Sequence, residues 1–195
     1  MSEEKKEDNM EMYYVPAVIP IAQLEVAKSI EALTAKERLY THYLSRACWA
    51  GSEITLSQVS TESPSIFSLF RTLFAAPPIA EYAKAALEAG IPKEDWNNFL
   101  NYAATFFTNM GNYLSFGDSK FIPRCSQEAF SKVVRAHPDQ TTRDKCSEIM
   151  SMCITSIFSV TERNKSLGFP EEGISTYYGP NVTSIQIKCM ILMAC

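Results

Sequence analysis

Along most of the chain, apolar residues recur every three or four positions, the period of a helix with one buried face. The clearest run is Trp96, Phe99, Leu100, Ala103, Phe106, Phe107 and Met110. It opens at Pro92, with Glu94 and Asp95 at the favourable end of the helix dipole. The stripe stops at Gly111, and Asn112, Tyr113, Ser115, Phe116, Gly117 and Asp118 follow. Glycines, small polar residues and aromatics do not continue a helix cheaply, so this stretch predicts a shaped loop. Loop aromatics usually pack, and the plain reading is that Tyr113 and Phe116 cover the core. The other is that the loop holds side chains against a ligand.

The same pattern predicts further helices on both sides. Ala22 to Leu33 reads as a short amphipathic helix. Thr34 and Glu37 have capping-box spacing, opening a helix with Leu39, Tyr40, Tyr43, Leu44, Ala47 and Cys48 on one face and its end at Gly51. Ser63 as cap and Pro64 as first residue start a helix with a broad apolar face of Ile66, Phe67, Leu69, Phe70, Leu73 and Phe74, which Pro77 and Pro78 end. Ile79 to Ala89 is alanine-rich and closes at Gly90. Ser126 to about Ala136 is a short helix, broken by His137-Pro138. Thr141 or Thr142 starts a long helix reaching Leu167, with Cys146, Ile149, Met150, Cys153, Ile154, Ile157 and Phe158 as its stripe.

Strand signals are few. Met12 to Ile21 holds Pro16 and Pro20 and predicts an extended arm or edge strand. Ile174 to Tyr178 alternates like a short strand after a turn at Phe169 to Gly173. The fold class is therefore mainly α with little β. Three regions follow: a charged, disordered leader at 1–12, a helical body at 13–183, and an apolar tail at 184–195. The tail, SIQIKCMILMAC, exposes so much apolar surface that it offers itself for self-association.

Composition narrows the functional classes. The chain has 195 residues, 46% of them apolar, which suits one globular domain rather than a disordered chain. Its net charge of -4, with the signs mixed, argues against a phosphate-binding surface and hence against nucleic acid. Six cysteines, with no CxxC pair, fit buried free thiols in a reducing compartment. The opening MSEEKKEDNMEM has no apolar signal region, and no apolar run is long enough to span a bilayer. We read no membrane partner and a cytoplasmic location. The Asn181-Val182-Thr183 triplet carries little weight without a signal peptide.

Residues able to carry chemistry are sparse. A peptidase-type zinc site needs two histidines four apart with a glutamate beside the first, and His42 and His137 have neither context. Neither is paired in sequence with a cysteine, and there is no GxGxxG or phosphate-binding loop. Asp118 and Lys120 suit either orienting a polar ligand or fastening the turn. The residues alone describe a helical unit without a complete active site.

Four stretches together resemble the dipeptidyl peptidase III family of zinc exopeptidases, which release dipeptides from peptide N-termini. They are KERLYTHYLSRACWAG (Lys36 to Gly51), SPSIFSLFRTLF (Ser63 to Phe74), TNMGNYLSFGDSKFIP (Thr108 to Pro123) and GFPEEGISTYYGPNVT (Gly168 to Thr183). The resemblance spans roughly residues 13 to 183 and ends near Ile185. It implies a two-lobed enzyme that binds short peptides in its cleft, with zinc on the upper lobe and the present residues in the lower. It also implies that Phe116 of the SFGD motif contacts substrate, with Asn112, Tyr113 and Ser115 as its neighbours. The family's zinc motif, HELLGH, does not occur in this sequence. The expectation is thus an N-terminal fragment that forms part of the substrate cleft, binds no zinc itself and is inactive alone. The alternative is a non-catalytic interaction module.

Overall fold

The computed structural model describes residues 10–169, 173–174 and 181–193. The charged leader up to Asn9, most of the predicted strand after Ile174, and Cys195 lie outside the described residues.

The described helices are α1 (Ala27–Glu31), α2 (Ala35–Ala50), α3 (Ser52–Val59), α4 (Ser63–Leu73), α5 (Ile79–Glu88), α6 (Lys93–Asn109), α7 (Gln127–Arg135), α8 (Gln140–Phe158) and α9 (Ser184–Met193). Among the described residues, extended pairing is limited to three isolated bridges, Tyr14 with Ile122, Tyr113 with Lys120, and Ser119 with Ser166. The mainly α class is thus observed.

The core lies where α4, α6, α7 and α8 meet, and Phe70 is its centre. It is fully buried. Its ring centroid lies 5.7 Å from that of Phe99, 5.8 Å from Phe106, 5.9 Å from Tyr102 and 6.3 Å from Phe130. Offset and edge-on pairs at such separations add to what burial alone gives each ring. Helix α4 packs along α8, whose stripe of Cys146, Ile149, Met150, Cys153 and Ile157 is buried. Burial pushes the Cys146 thiol up to about 11 and the Cys153 thiol up to about 12, so neither is a ready nucleophile at neutral pH.

Several predicted signals are seen in place. Thr34 and Glu37 form a capping box, the short helix predicted from Ser126 forms as α7 with Ser126 just before it accepting from the Ala129 amide, and the arm joins the body through the Val15 amide on the Ile122 carbonyl and the Ile122 amide on the Tyr13 carbonyl. Glu11 pairs with Arg124 at 2.6 Å, so the ordered arm begins earlier in the chain than Tyr13.

Other expectations are corrected. The long helix ends at Phe158, not Leu167. The carbonyl of Ser156 in its last turn accepts from Lys120 Nζ at 2.7 Å, and the chain then turns at Thr161–Asn164 and runs back beside Ser119. The predicted helix at Ala22 to Leu33 shrinks to α1, whose residues are all exposed. Helix α3 follows α2 directly at Gly51, which is right-handed helical rather than a left-handed stop. Ser63 is the first residue of α4 rather than its cap, and Ser60 accepts the Ser63 amide instead. The apolar face of α2 is uncovered, and Cys48 on it is exposed.

Phe70→Ala should destabilise the chain by about 3–5 kcal/mol, because the rings around it cannot all collapse into the void. Leu39→Ala on the open α2 should cost only about 0.5 kcal/mol or less. Urea denaturation followed by circular dichroism measures both, and comparable losses would contradict the placement of the core.

Candidate functional site

The loop after α6 is shaped by its first two residues. Met110 takes the left-handed conformation (φ 51°) as the C-cap of α6. At Gly111 any Cβ would lie 2.6 Å from Val59 Cγ1 and 3.3 Å from Ser63 Oγ, so α3 and α4 approach too closely for a side chain. The chain then doubles back. The Leu114 amide donates to the Ser119 carbonyl at 2.8 Å and the Phe121 amide to the Asn112 carbonyl at 3.3 Å. A third segment closes the base, with Lys120 donating its amide to the Lys165 carbonyl at 2.9 Å and Leu167 donating to Asp118 at 2.8 Å.

Beneath the loop lies a buried polar cluster. Asn112 Oδ1 accepts from Ser60 Oγ at 2.8 Å and Ser63 Oγ at 3.1 Å, and its Nδ2 donates to Glu62 Oε1 at 2.7 Å. Lys120 Nζ lies 3.6 Å from the same Glu62 oxygen, donates to the Ser156 carbonyl, and stands 5.7 Å from the Tyr113 ring centroid. Tyr113 donates its hydroxyl to the Asn164 carbonyl at 2.9 Å. Burial lowers the Lys120 pKa, and Glu62 opposes that shift. Burial also raises the Tyr113 and Tyr102 phenols, with the Glu62 charge adding to it, so both rings stay neutral. The buried Tyr102 hydroxyl has no hydrogen-bond partner among the described residues.

The four predicted site residues therefore divide. Asn112 and Tyr113 are buried and face inward, while Ser115 and Phe116 stand on the exposed tip. Phe116 is 94% exposed, whereas nearly every other phenylalanine in the body packs in or against the core. Ser115 is pinned by its amide on Asn109 Oδ1 at 2.8 Å. Lys120 fastens the turn rather than facing a ligand. Sequence reasoning reaches Ser63 only as a helix cap and misses Ser60, Glu62 and Tyr102; the polar run Ser60-Thr61-Glu62-Ser63 before an apolar helix is the available signal.

Neither histidine enters this site. His137 is buried, with Nε2 3.0 Å from the Ala76 carbonyl and Nδ1 accepting the Asp139 amide at 3.2 Å. The tautomer protonated at Nε2 satisfies both contacts. His42 sits on the exposed α2 against Tyr43. Among the described residues, no three His, Cys, Asp or Glu converge into a set able to hold a metal ion.

Known proteins identify the kin of this helical scaffold and its aromatic-tipped loop. No family model matches the chain. It is 42% identical over 182 residues to dipeptidyl peptidase 3 of Dictyostelium discoideum, 39% over 172 to that of Nematostella vectensis, and 36% over 184 to that of Homo sapiens. These matches cover 92%, 87% and 90% of this chain but only 25%, 24% and 24% of the relatives. The chain thus spans about a quarter of the length of the curated relatives it matches. It belongs to the dipeptidyl peptidase III family, as an N-terminal portion of it.

Lys120→Met should destabilise the chain by about 3–5 kcal/mol, since it leaves the Glu62 carboxylate buried and unpaired. Adding Glu62→Gln keeps an acceptor for Asn112 and removes the charge, so the double variant should recover at least about 1 kcal/mol. A double-mutant cycle by urea denaturation checks this, and additive losses would contradict the coupling.

Proposed function

We propose that this chain forms part of the peptide-binding cleft of a dipeptidyl peptidase acting on short peptides. The zinc that activates water would be held by the portion of the family polypeptide that this chain does not span. The supporting observation is the exposed Phe116 on a loop with a rigid base, within a sequence related to proteins named dipeptidyl peptidase 3 over about nine tenths of its length. In this reading the Phe116 ring lies along an extended peptide and gives apolar contact whatever the side chains, while Ser115 beside it offers a hydroxyl. Asn112 and Tyr113 act one layer down, holding the loop that presents them. Alone, the chain hydrolyses no peptides, and its setting is the cytoplasm.

The chain can be placed in the Dictyostelium relative in exchange for the matched quarter. There, Phe116→Ala should raise KM for a dipeptidyl arylamide about tenfold with kcat nearly kept, as loss of roughly 1.4 kcal/mol of uniform binding requires. Unchanged kinetics would remove Phe116 from the cleft. Elemental analysis of the isolated chain offers a separate check, and stoichiometric zinc there would overturn the division of labour.

A second reading, self-association through the tail, draws on α9, where Ile185 is 70%, Met190 67% and Met193 86% exposed. Deleting residues 184–195 should then convert an oligomer to a monomer in sedimentation experiments. An unaltered state after deletion would dismiss this reading.

A further inference from the structure

Helix α2 is built to persist yet covers nothing. Its N-terminus has a complete capping box, and Arg38 ties it back to the preceding turn by donating to the Leu33 and Glu31 carbonyls, each at 2.9 Å. None of its 16 residues is buried. Leu39, Tyr43, Ala47, Tyr40 and Leu44 nonetheless follow the helical period as one apolar stripe. Leu39 is 56% exposed, Tyr40 68%, Tyr43 58% and Leu44 48%. The adjoining arm leaves Val18, Ile21 and Leu24 more than four-fifths open as well. Contiguous apolar surface of this kind on a well-capped helix marks a surface that something else covers.

Two observations say what covers it. The stripe lies inside the family-related sequence, not in the tail, and the relatives are about four times as long as this chain. About three quarters of the family polypeptide is thus available as a partner for a face that this quarter leaves open. A second copy suits the face less well, since Lys36, Arg38 and Arg46 against the one carboxylate of Glu37 give α2 a net positive charge. Two such helices laid together would oppose like charges.

We propose that the Leu39–Tyr40–Tyr43–Leu44 stripe of α2 is the docking surface for the remaining three quarters of a dipeptidyl peptidase III polypeptide, which meets it with apolar side chains rimmed by carboxylates. The proposal rests on the reading above that this chain works as one part of a longer enzyme. It adds the surface on which the two parts join.

Thiol accessibility tests it. In a background with Cys48, Cys189 and Cys195 changed to serine, Ala47→Cys places a thiol in the stripe and Ser45→Cys places one on the opposite face, which carries Arg38, Thr41 and the exposed Trp49. In the isolated chain both should react with a maleimide at the rate of an open thiol. With the chain exchanged into the Dictyostelium relative, Ala47→Cys should slow by about 50-fold or more, while Ser45→Cys stays within about fivefold. Equal rates for Ala47→Cys in the two settings would overturn the proposal. So would a rate in the isolated chain that falls as its own concentration rises, which would assign the stripe to a second copy. Should the exchanged protein not fold, a cysteine at the aligned position of the intact Dictyostelium relative gives the same reading, protected if the proposal holds and open if it fails. Peptide hydrolysis by the exchanged protein reports separately on the cleft. Protection without hydrolysis would sink the cleft reading alone, and hydrolysis with an open Ala47→Cys would sink the docking surface alone.

Discussion

A single buried ammonium holds three parts of the chain together. Lys120 reaches the Glu62 carboxylate at the start of α4, the Ser156 carbonyl in the last turn of α8, and the face of Tyr113 in its own loop. Desolvating a charge is costly, and the site offsets that by giving it an opposite charge and a backbone acceptor within a low-dielectric setting. Such an arrangement is intolerant of displacement, because any movement that breaks one contact leaves a charge or carbonyl stranded. The loop base, the α4 terminus and the end of α8 are therefore fixed relative to one another more tightly than apolar contact alone would fix them.

That rigidity explains how an exposed phenylalanine can be useful. A ring on a floppy loop would lose much of its contact energy to ordering, whereas one on a fixed base has been oriented by folding. Asn112, with Ser60, Ser63 and Glu62 around it, extends the same lock to the other side of the loop, and Gly111 lets the helices come close enough to build it. Behind this layer, the aromatic cluster around Phe70 supplies the bulk of the packing. The polar layer sets the geometry.

Much of this was legible in the residues. The capping box at Thr34 and Glu37, the short helix starting at Ser126 and the stripe of α6 are local signals, and each appears where its residues put it. What escaped was non-local. The end of α8 at Phe158 falls where Lys120 takes up the Ser156 carbonyl from 36 positions away, which no periodicity in residues 140–167 reveals. Asn112 and Tyr113 look like loop residues open to a ligand, and they turn inward because their partners sit some 50 positions distant at Glu62 and Asn164. Helix α2 reads as a core helix from its stripe, and periodicity gives the face without saying whether this chain covers it.

Amide hydrogen exchange tests most directly whether the Phe116 loop stands on a rigid base. The Lys120, Phe121 and Ile122 amides, bonded to the Lys165, Asn112 and Tyr13 carbonyls, should exchange only as fast as the whole chain unfolds. Exchange of these three amides at rates near those of an open peptide, while the α6 and α8 amides stay protected, would show a loop that moves independently and would contradict the account.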